Sequence, residues 1–304
     1  MSRNDPLDFD DETLAVLTSH EREARSEVLE WRGEDGGPLQ SMLRAVQEKA
    51  GSVLKWATPA VAQDTVQDAV KGGLEMVQDA SGYTFRASSV LEKARGQDIS
   101  ADEVSDLAGA PLSALDCLSA RYHMPNKLLA AAEGGACGAG GLSGAAADLP
   151  LLFGISFRGV QQVGTCYGFD MDDPDVRPAV LGVFNVGAGA GSTAKARFLA
   201  DIHIAAEAFA KRWTYEKAAE RTATGAAART LKQMTRRLPR KIARKVTKQK
   251  LAQALPAIGA AIGGTFNYRF VSRTLTAARM TFRSLYLSRK YGGGSALAPS
   301  STGG

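Results

Sequence analysis

The hydrophobic positions of this chain recur mainly at intervals of three or four residues, the spacing of one face of an α-helix. Leu14, Leu17, Ala24 and Val28 predict a helix over residues 11–31. The same spacing predicts further helices at about 39–56, 59–79 and 194–222. No stretch alternates between apolar and polar residues as a half-buried strand would. The predicted fold class is therefore all-α, with a single multi-helix domain.

Glycine and alanine are concentrated in two segments, which we expect to form helical hairpins over residues 130–168 and 251–290. Small residues at a spacing of four leave one helix face without large side chains, so that another backbone can approach closely. Each glycine costs roughly 1 kcal/mol relative to alanine inside a helix, so these clusters need a packing or functional reason. We expect the two hairpins to pack together through six glycines: Gly134, Gly138, Gly141, Gly144, Gly259 and Gly263.

The order of residues in the first hairpin resembles the signature of the EcsC family, a bacterial group named for a gene beside an ABC-exporter operon. The matching elements are Ala132-Glu133-Gly134-Gly135, Gly138, Gly141, Asp148-Leu149-Pro150 and Cys166-Tyr167-Gly168-Phe169-Asp170. Weaker similarity extends from about Leu14 to about Tyr291. The resemblance implies a cytoplasmic protein that works at the membrane as an accessory to export or envelope processes. We expect an EcsC-like helical domain over residues 11–291, between a disordered acidic tail (1–10) and a disordered Gly/Ser/Pro tail (292–304).

The net charge of +5 conceals a sharp division along the chain. Residues 1–210 hold 17 Lys/Arg against 30 Asp/Glu, a net of −13. Residues 211–304 hold 20 Lys/Arg against 2 Asp/Glu, a net of +18. Such asymmetry predicts an anionic partner for the basic part, or attraction between the two parts of one fold.

Residues 229–250, which we call the basic segment, carry the strongest electrostatic signal. If the segment is a helix, Leu238, Ile242 and Val246 form an apolar stripe along one face. The other face carries six basic residues: Arg236, Arg237, Arg240, Lys241, Arg244 and Lys248. A basic amphipathic helix suits an anionic membrane, where each Lys/Arg is worth about 1 kcal/mol. A solvated face over a protein core is the alternative. Nucleic acid is less favoured, because no aromatic residue between positions 216 and 265 offers a stacking platform. The expected partner is an anionic membrane surface or a membrane protein.

Glu133 and Asp148 bracket the glycine-rich run of the first hairpin. Their separation of fifteen residues is close to four helical turns, so one continuous helix would place both carboxylates on one face. That arrangement would suit a polar or proton-handling site, and a hydrolase-like enzyme is the corresponding hypothesis. The interpretation that we favour is structural: Asp148 caps a helix that begins at Leu149-Pro150, and Glu133 pairs with a basic residue. The predicted function is accordingly a non-enzymatic, membrane-associated accessory role.

No other pattern in the sequence predicts a cofactor or a metal. The glycine clusters lack the order of a phosphate-binding loop or a dinucleotide fingerprint, and the three histidines share no ligand spacing. We expect His203 on the surface and the three cysteines as buried thiols in a reducing compartment. No export signal is visible near the N-terminus. The expected location is the cytoplasm, peripherally at the inner face of the cell membrane.

Overall fold

A computed structural model describes residues 7–34, 85–171, 176–187, 189–215 and 256–291. Within these ranges every regular element is a helix, which confirms the all-α class. The predicted helices at 39–56 and 59–79, the basic segment and the 292–304 tail lie outside the described residues. The elements are α1 (Asp11–Val16), α2 (Ser19–Gly33), α3 (Ser88–Arg95), a 3-10 helix (Val104–Gly109), α4 (Leu112–Ala139), α5 (Gly141–Cys166), α6 (Arg177–Gly187), α7 (Ser192–Tyr215) and α8 (Pro256–Tyr291).

Three long helices, α4, α5 and α8, form the centre of the described structure. Helices α4 and α5 are separated by Gly140 and pack against each other as an antiparallel pair, in which Asn126 donates a hydrogen bond of 2.7 Å to Gln162. Helix α8 is antiparallel to α4, since Asn267 binds Glu133 near one end and Arg283 binds Asp116 near the other. The three helices therefore share two common ends, and each end buries a group of polar side chains.

A cluster of four aromatic side chains packs α6 against the central helices. Phe153 and Phe157 of α5 pack against Phe184 of α6, with ring centroids 5.1 and 4.7 Å apart. Phe270 of α8 completes the group at 5.5 Å from Phe184. All four rings are buried. Such aromatic pairs contribute about 0.5–1.5 kcal/mol each beyond the burial of their area. The four rings therefore stabilise the packing of α6 against α5 and α8.

Several sequence predictions about local structure are corrected. The second hairpin, 251–290, is wrong, because residues 256–291 form one helix of 36 residues. The helix predicted over 11–31 is two helices, because Thr18 starts α2 with a capping box in which its side chain and Glu21 exchange hydrogen bonds with each other's backbone. Residues 7–10 are not a free tail, since Leu7 is buried and Phe9 packs against Tyr291 with ring centroids 6.1 Å apart.

Two further predictions about burial change. His203 is buried rather than on the surface, and its Nε2 lies 2.7 Å from the Ser284 hydroxyl. Cys166 is a buried thiol as expected, whereas Cys137 is half-buried and Cys117 is exposed. Among the described helices, none combines the length and the apolar character that crossing a bilayer requires.

Candidate functional site

The end of the central helices around Gly140 is the candidate site, and we call it the tip. It comprises residues 128–157 of α4 and α5 and residues 256–268 of α8. Glu133 and Asp148 are the only charged residues in these ranges of the sequence. Both bind the same side chain of α8, as described below, so the charges of the tip are directed toward the helix interface.

Two glycines allow α4 and α8 to touch backbone to backbone at the tip. A Cβ atom placed on Gly263 would lie 2.1 Å from the carbonyl oxygen of Gly134 and 3.3 Å from the Cα of Gly138. A Cβ on Gly134 would lie 2.6 Å from the carbonyl oxygen of Gly263 and 2.3 Å from the amide nitrogen of Asn267. No side chain larger than hydrogen fits at this crossing without a shift of the backbone. The crossing also brings the Asn267 side chain against α4.

The structure brings three of the six predicted packing glycines together, namely Gly134, Gly138 and Gly263. The other three lie in the first turns of their helices, Gly141 and Gly144 in α5 and Gly259 in α8. The surroundings of these three residues are outside the described part of the structure.

Four polar side chains from three helices meet beside this crossing, and we call them the polar cluster: Glu133, Cys137, Asp148 and Asn267. The Asn267 amide nitrogen donates to Asp148 Oδ1 at 2.6 Å and to Glu133 Oε2 at 3.2 Å. The Cys137 thiol donates to Glu133 Oε1 at 3.6 Å. Asp148 and Asn267 have no exposed surface, while Glu133 and Cys137 are half-buried. The cluster is thus a contiguous set of acidic, thiol and amide groups inside the helix packing.

The structure places Glu133 and Asp148 close together, but not on one continuous helix. They belong to two helices, α4 and α5, rather than to one face of a continuous helix. The capping interpretation of Asp148 is wrong, because α5 already begins at Gly141 and Pro150 lies inside it. The two carboxylates of the hydrolase hypothesis are therefore close together. Asp148, however, is buried between the packed helices and does not reach a surface that is open to a substrate.

Two members of the polar cluster were not predicted from the sequence. Cys137 follows Glu133 by four residues, and that spacing places both on one helix face, so a signal for it was present. Asn267 had a weaker signal: it is a polar residue within the otherwise apolar run of α8. The chemistry of the set is that of metal ligands, since one ligand atom each from Glu133, Cys137 and Asp148 lie within 4.8 Å of one another.

On α4 and α5, the exposed positions of the tip that the structure describes are apolar. Along α4 the exposed positions beyond Arg121 are Met124, Pro125, Leu128, Leu129, Ala132, Ala136, Ala139 and Gly140, and along α5 they include Ala147 and Leu151. Leu128 is 57% exposed and Leu151 is 53% exposed, which is high for leucine in a folded domain. These side chains form two neighbouring stripes, one on each helix of the antiparallel pair.

Five basic residues surround the base of the tip, and we call them the basic collar: Arg121, Lys127, Arg158, Arg269 and Arg273. Arg121 and Arg158 are exposed, and each stands where an apolar stripe begins. Burial and the neighbouring Arg269 lower the pKa of Arg273, and burial and Arg279 lower the pKa of Lys127. These cations therefore sit in partly dehydrated places near like charges, which an anionic partner would relieve.

A protein-family model matches most of the chain. The model of the EcsC protein family matches residues 22–287, which include the tip, the polar cluster and the basic collar. The chain belongs to the EcsC protein family. Neither a curated protein nor a solved structure matches the chain.

A second buried polar group lies at the opposite end of the EcsC domain, and we call it the arginine network: His20, Glu27, Asp116, Tyr167 and Arg283. Arg283 donates two parallel hydrogen bonds of 2.7 Å to the two Asp116 oxygens. Tyr167 donates to the same carboxylate, and His20 Nε2 lies 2.6 Å from it. Arg283 also binds Glu27 of α2. Burial alone would raise the pKa of Asp116, but the bonds from Arg283 outweigh it and hold that pKa low.

Proposed function

We propose that this protein is a non-enzymatic accessory protein that attaches peripherally to the inner face of the cell membrane through its tip and basic collar. One observation carries the proposal: the described exposed positions of α4 beyond Arg121, and of α5 before Arg158, are apolar, and each set is bounded by an exposed arginine. An apolar surface bounded by cations complements a bilayer, whose acyl chains lie below anionic headgroups.

The dimensions of the tip suit a single leaflet. From Leu128 to Ala139 the helix rises about 17 Å, and the hydrocarbon of one leaflet is about 15 Å thick. A tip buried to this depth would place Lys127 at the level of the headgroups and the backbones of Arg121 and Arg158 about 10 Å further out, still within about one Debye length of the anionic surface. Each Lys/Arg near an anionic surface contributes about 1 kcal/mol, and each exposed leucine gains from leaving water.

The basic segment supplies independent support from the sequence. Its row of basic residues and its apolar stripe predict the same partner, an anionic membrane, as the basic collar does. Because the basic segment lies outside the described residues, the tip is the element for which the structure allows a designed test.

The first test compares charged substitutions on and off the tip. Leu128→Asp with Leu151→Asp should weaken binding to anionic vesicles by more than about tenfold. Each change removes the burial of a leucine, worth about 1.5–3 kcal/mol, and places a negative charge beside anionic headgroups, whereas about 1.4 kcal/mol is already a factor of ten. Val16→Asp is the matched control, since Val16 is 64% exposed and lies on α1. Sedimentation with vesicles measures the bound fraction. Equal binding by wild type, tip variant and control would contradict attachment through the tip.

A second test measures depth. A tryptophan introduced as Leu151→Trp should be quenched by bromine atoms on lipid acyl chains, whereas one introduced as Val16→Trp should not be. Quenching is scored as the difference from the wild-type protein, whose own Trp31, Trp56 and Trp213 supply the background. Binding to vesicles without a Leu151→Trp quenching difference would place the tip outside the lipid and assign attachment to another surface.

A third test removes six of the ten positive charges of the basic segment. Changing the six basic residues of its polar face, Arg236, Arg237, Arg240, Lys241, Arg244 and Lys248, to Gln keeps helix propensity and should lower binding to anionic vesicles by orders of magnitude. Binding to neutral vesicles should stay weak in both proteins. If the wild type instead ignores vesicles and binds nucleic acid with a steep salt dependence, the nucleic-acid hypothesis replaces this one.

A further inference from the structure

We infer that the polar cluster at the tip is a binding site for a divalent transition-metal ion, and that Zn²⁺ fits its donors best. Glu133, Cys137 and Asp148 are the ligands, and Asn267 lies in position to become a fourth. The inference concerns the interior of the tip and does not depend on the proposed membrane attachment.

The chemistry of the donors selects the class of ion. Carboxylate oxygens alone would suit Mg²⁺ or Ca²⁺, but the Cys137 sulfur adds a soft ligand. Zn²⁺ accepts thiolate and carboxylate ligands together in a four-coordinate site. Glu133 and Cys137 stand one helical turn apart on α4 while Asp148 comes from α5, so the set exists only when the helices are packed.

The distances are close to those of a tetrahedral site. Bonds of about 2.0–2.3 Å to zinc place ligand atoms about 3.3–3.8 Å apart. The ligand atoms of Glu133, Cys137 and Asp148 already lie within 4.8 Å of one another. A contraction of about 1 Å therefore completes the site, and rotation of the Glu133 and Cys137 side chains supplies it, because both are half-buried and not locked in the core.

Asn267 provides a second, separate observation, because α4 is shaped to admit its side chain. The amide lies in a cradle that a Cβ on Gly134 would fill, at 2.3 Å from the amide nitrogen and 2.6 Å from the side-chain carbon. Asn267 has no exposed surface and its amide nitrogen reaches both carboxylates. A half turn of the amide would present its oxygen to the same point and add a neutral fourth ligand.

Binding of Zn²⁺ to the cluster releases one proton, from the Cys137 thiol. The Cys137 S–H bond breaks, the sulfur forms a bond to Zn²⁺, and the proton passes to solvent. Two carboxylates and one thiolate then surround a doubly positive ion. A doubly positive ion at this point attracts both neighbouring carboxylates.

The test titrates the purified, metal-free full chain with Zn²⁺ alone in a calorimeter, and with Co²⁺ as a spectroscopic substitute. Wild type should bind one equivalent of Zn²⁺, and its Co²⁺ form should show a thiolate-to-metal charge-transfer band. Cys137→Ser and Asp148→Asn should each weaken Zn²⁺ binding by at least about tenfold, since loss of even an outer hydrogen-bond partner costs that much. Cys117→Ser, at an exposed thiol, and Glu92→Gln, at an exposed carboxylate, are matched controls.

The outcomes are distinguishable. Loss of the charge-transfer band in Cys137→Ser, with retention in Cys117→Ser, supports the site, and circular dichroism checks that both variants are folded. Absence of stoichiometric Zn²⁺ binding, or binding that survives both Cys137→Ser and Asp148→Asn, overturns it. Because no lipid is present in these titrations, failure here leaves the vesicle results unaffected, and failure of the vesicle tests leaves the metal site unaffected.

Discussion

The arginine network and the polar cluster bury carboxylates between the same three helices, about 25 Å apart along α4, and they do so in different ways. At the first, Asp116 receives both arms of the Arg283 guanidinium, so its charge is balanced by a cation from the same chain. At the second, the Asn267 amide donates to both Glu133 and Asp148, and the Cys137 thiol donates to Glu133. The comparison teaches that one end uses buried charge to fix helix α2 and helix α8 in place, whereas the other presents a set of ligands.

Removing the cation of the arginine network should have the largest effect on stability. Arg283→Met leaves Asp116 and Glu27 without their shared guanidinium, and breaking a buried ion pair from one side costs about 3–5 kcal/mol. Arg158→Met is the matched control, because Arg158 is exposed on α5 and surface changes stay within about 0.5 kcal/mol. Urea unfolding measures both. A loss below about 1 kcal/mol in Arg283→Met would show that the network contributes little and would remove the contrast between the two ends.

Acid should weaken the same end through Glu21. Burial by itself would raise the pKa of Glu21, but bonds from Lys290, Tyr291 and Thr18 outweigh it and lower that pKa from 4.5 to about 2. A lowered pKa stabilises the folded state above pH 4.5, and this contribution is lost as the pH falls from 4.5 to about 2. The shift corresponds to at most about 3 kcal/mol, and less in practice because Lys290 is partly exposed and screened by water.

The measurement is stability against pH for wild type and Glu21→Gln. The variant should lose the part of the acid dependence that lies between pH 4.5 and about 2. Glu23→Gln, at an exposed position of the same helix, should follow the wild-type curve. If Glu21→Gln and wild type share one curve, the contacts to Lys290 and Tyr291 do not stabilise the folded state.

The sequence predicted the class of the fold more reliably than the bounds and number of its helices. Periodicity was sufficient for the all-α class because apolar spacing reports directly which face of a helix is buried. It could not distinguish a hairpin from one helix over 256–291, because glycine and proline near the start of α8 are compatible with both. The boundary at Thr18 was readable in principle, since Thr18 and Glu21 have the spacing of a capping box.

The polar cluster shows which contacts could not be predicted from the sequence alone. Glu133 and Asp148 were singled out because they bracket the glycine-rich run, and the structure does bring them together. Asp148-Leu149-Pro150 was interpreted as a helix start because Asp before a proline is a common capping pattern. That interpretation was wrong because α5 begins earlier, at Gly141, and continues through Pro150. Asn267 joins from a helix more than one hundred residues away in the sequence, and only the crossing at Gly134 and Gly263 determines that meeting.

That crossing offers the next test, at the tip. Gly263→Ala places a Cβ 2.1 Å from the Gly134 carbonyl oxygen, so the backbones must separate. Overpacking of this kind costs about 1–3 kcal/mol. Gly154→Ala in α5 is the matched control, because nothing lies within 4 Å of its Cβ, and alanine should stabilise a helix there by about 0.4–1 kcal/mol. Thermal melts that shift in the same direction for both variants would show that α4 and α8 do not depend on this contact.

The smallest effect is expected for Asp148→Asn in buffer freed of metal by a chelator. The Asn oxygen can accept the bond from Asn267 that Asp148 Oδ1 accepts now, and the side chain keeps its size. We therefore expect a change within about 1 kcal/mol, far below the loss in Arg283→Met, since a buried acceptor that keeps its hydrogen bond avoids most of the desolvation cost. Urea unfolding measures it. Addition of Zn²⁺ should then stabilise the wild type and not the variant, because a ligand stabilises only the folded state that binds it. A loss in Asp148→Asn as large as that in Arg283→Met, without any response of the wild type to Zn²⁺, would make the tip a second structural network like the first.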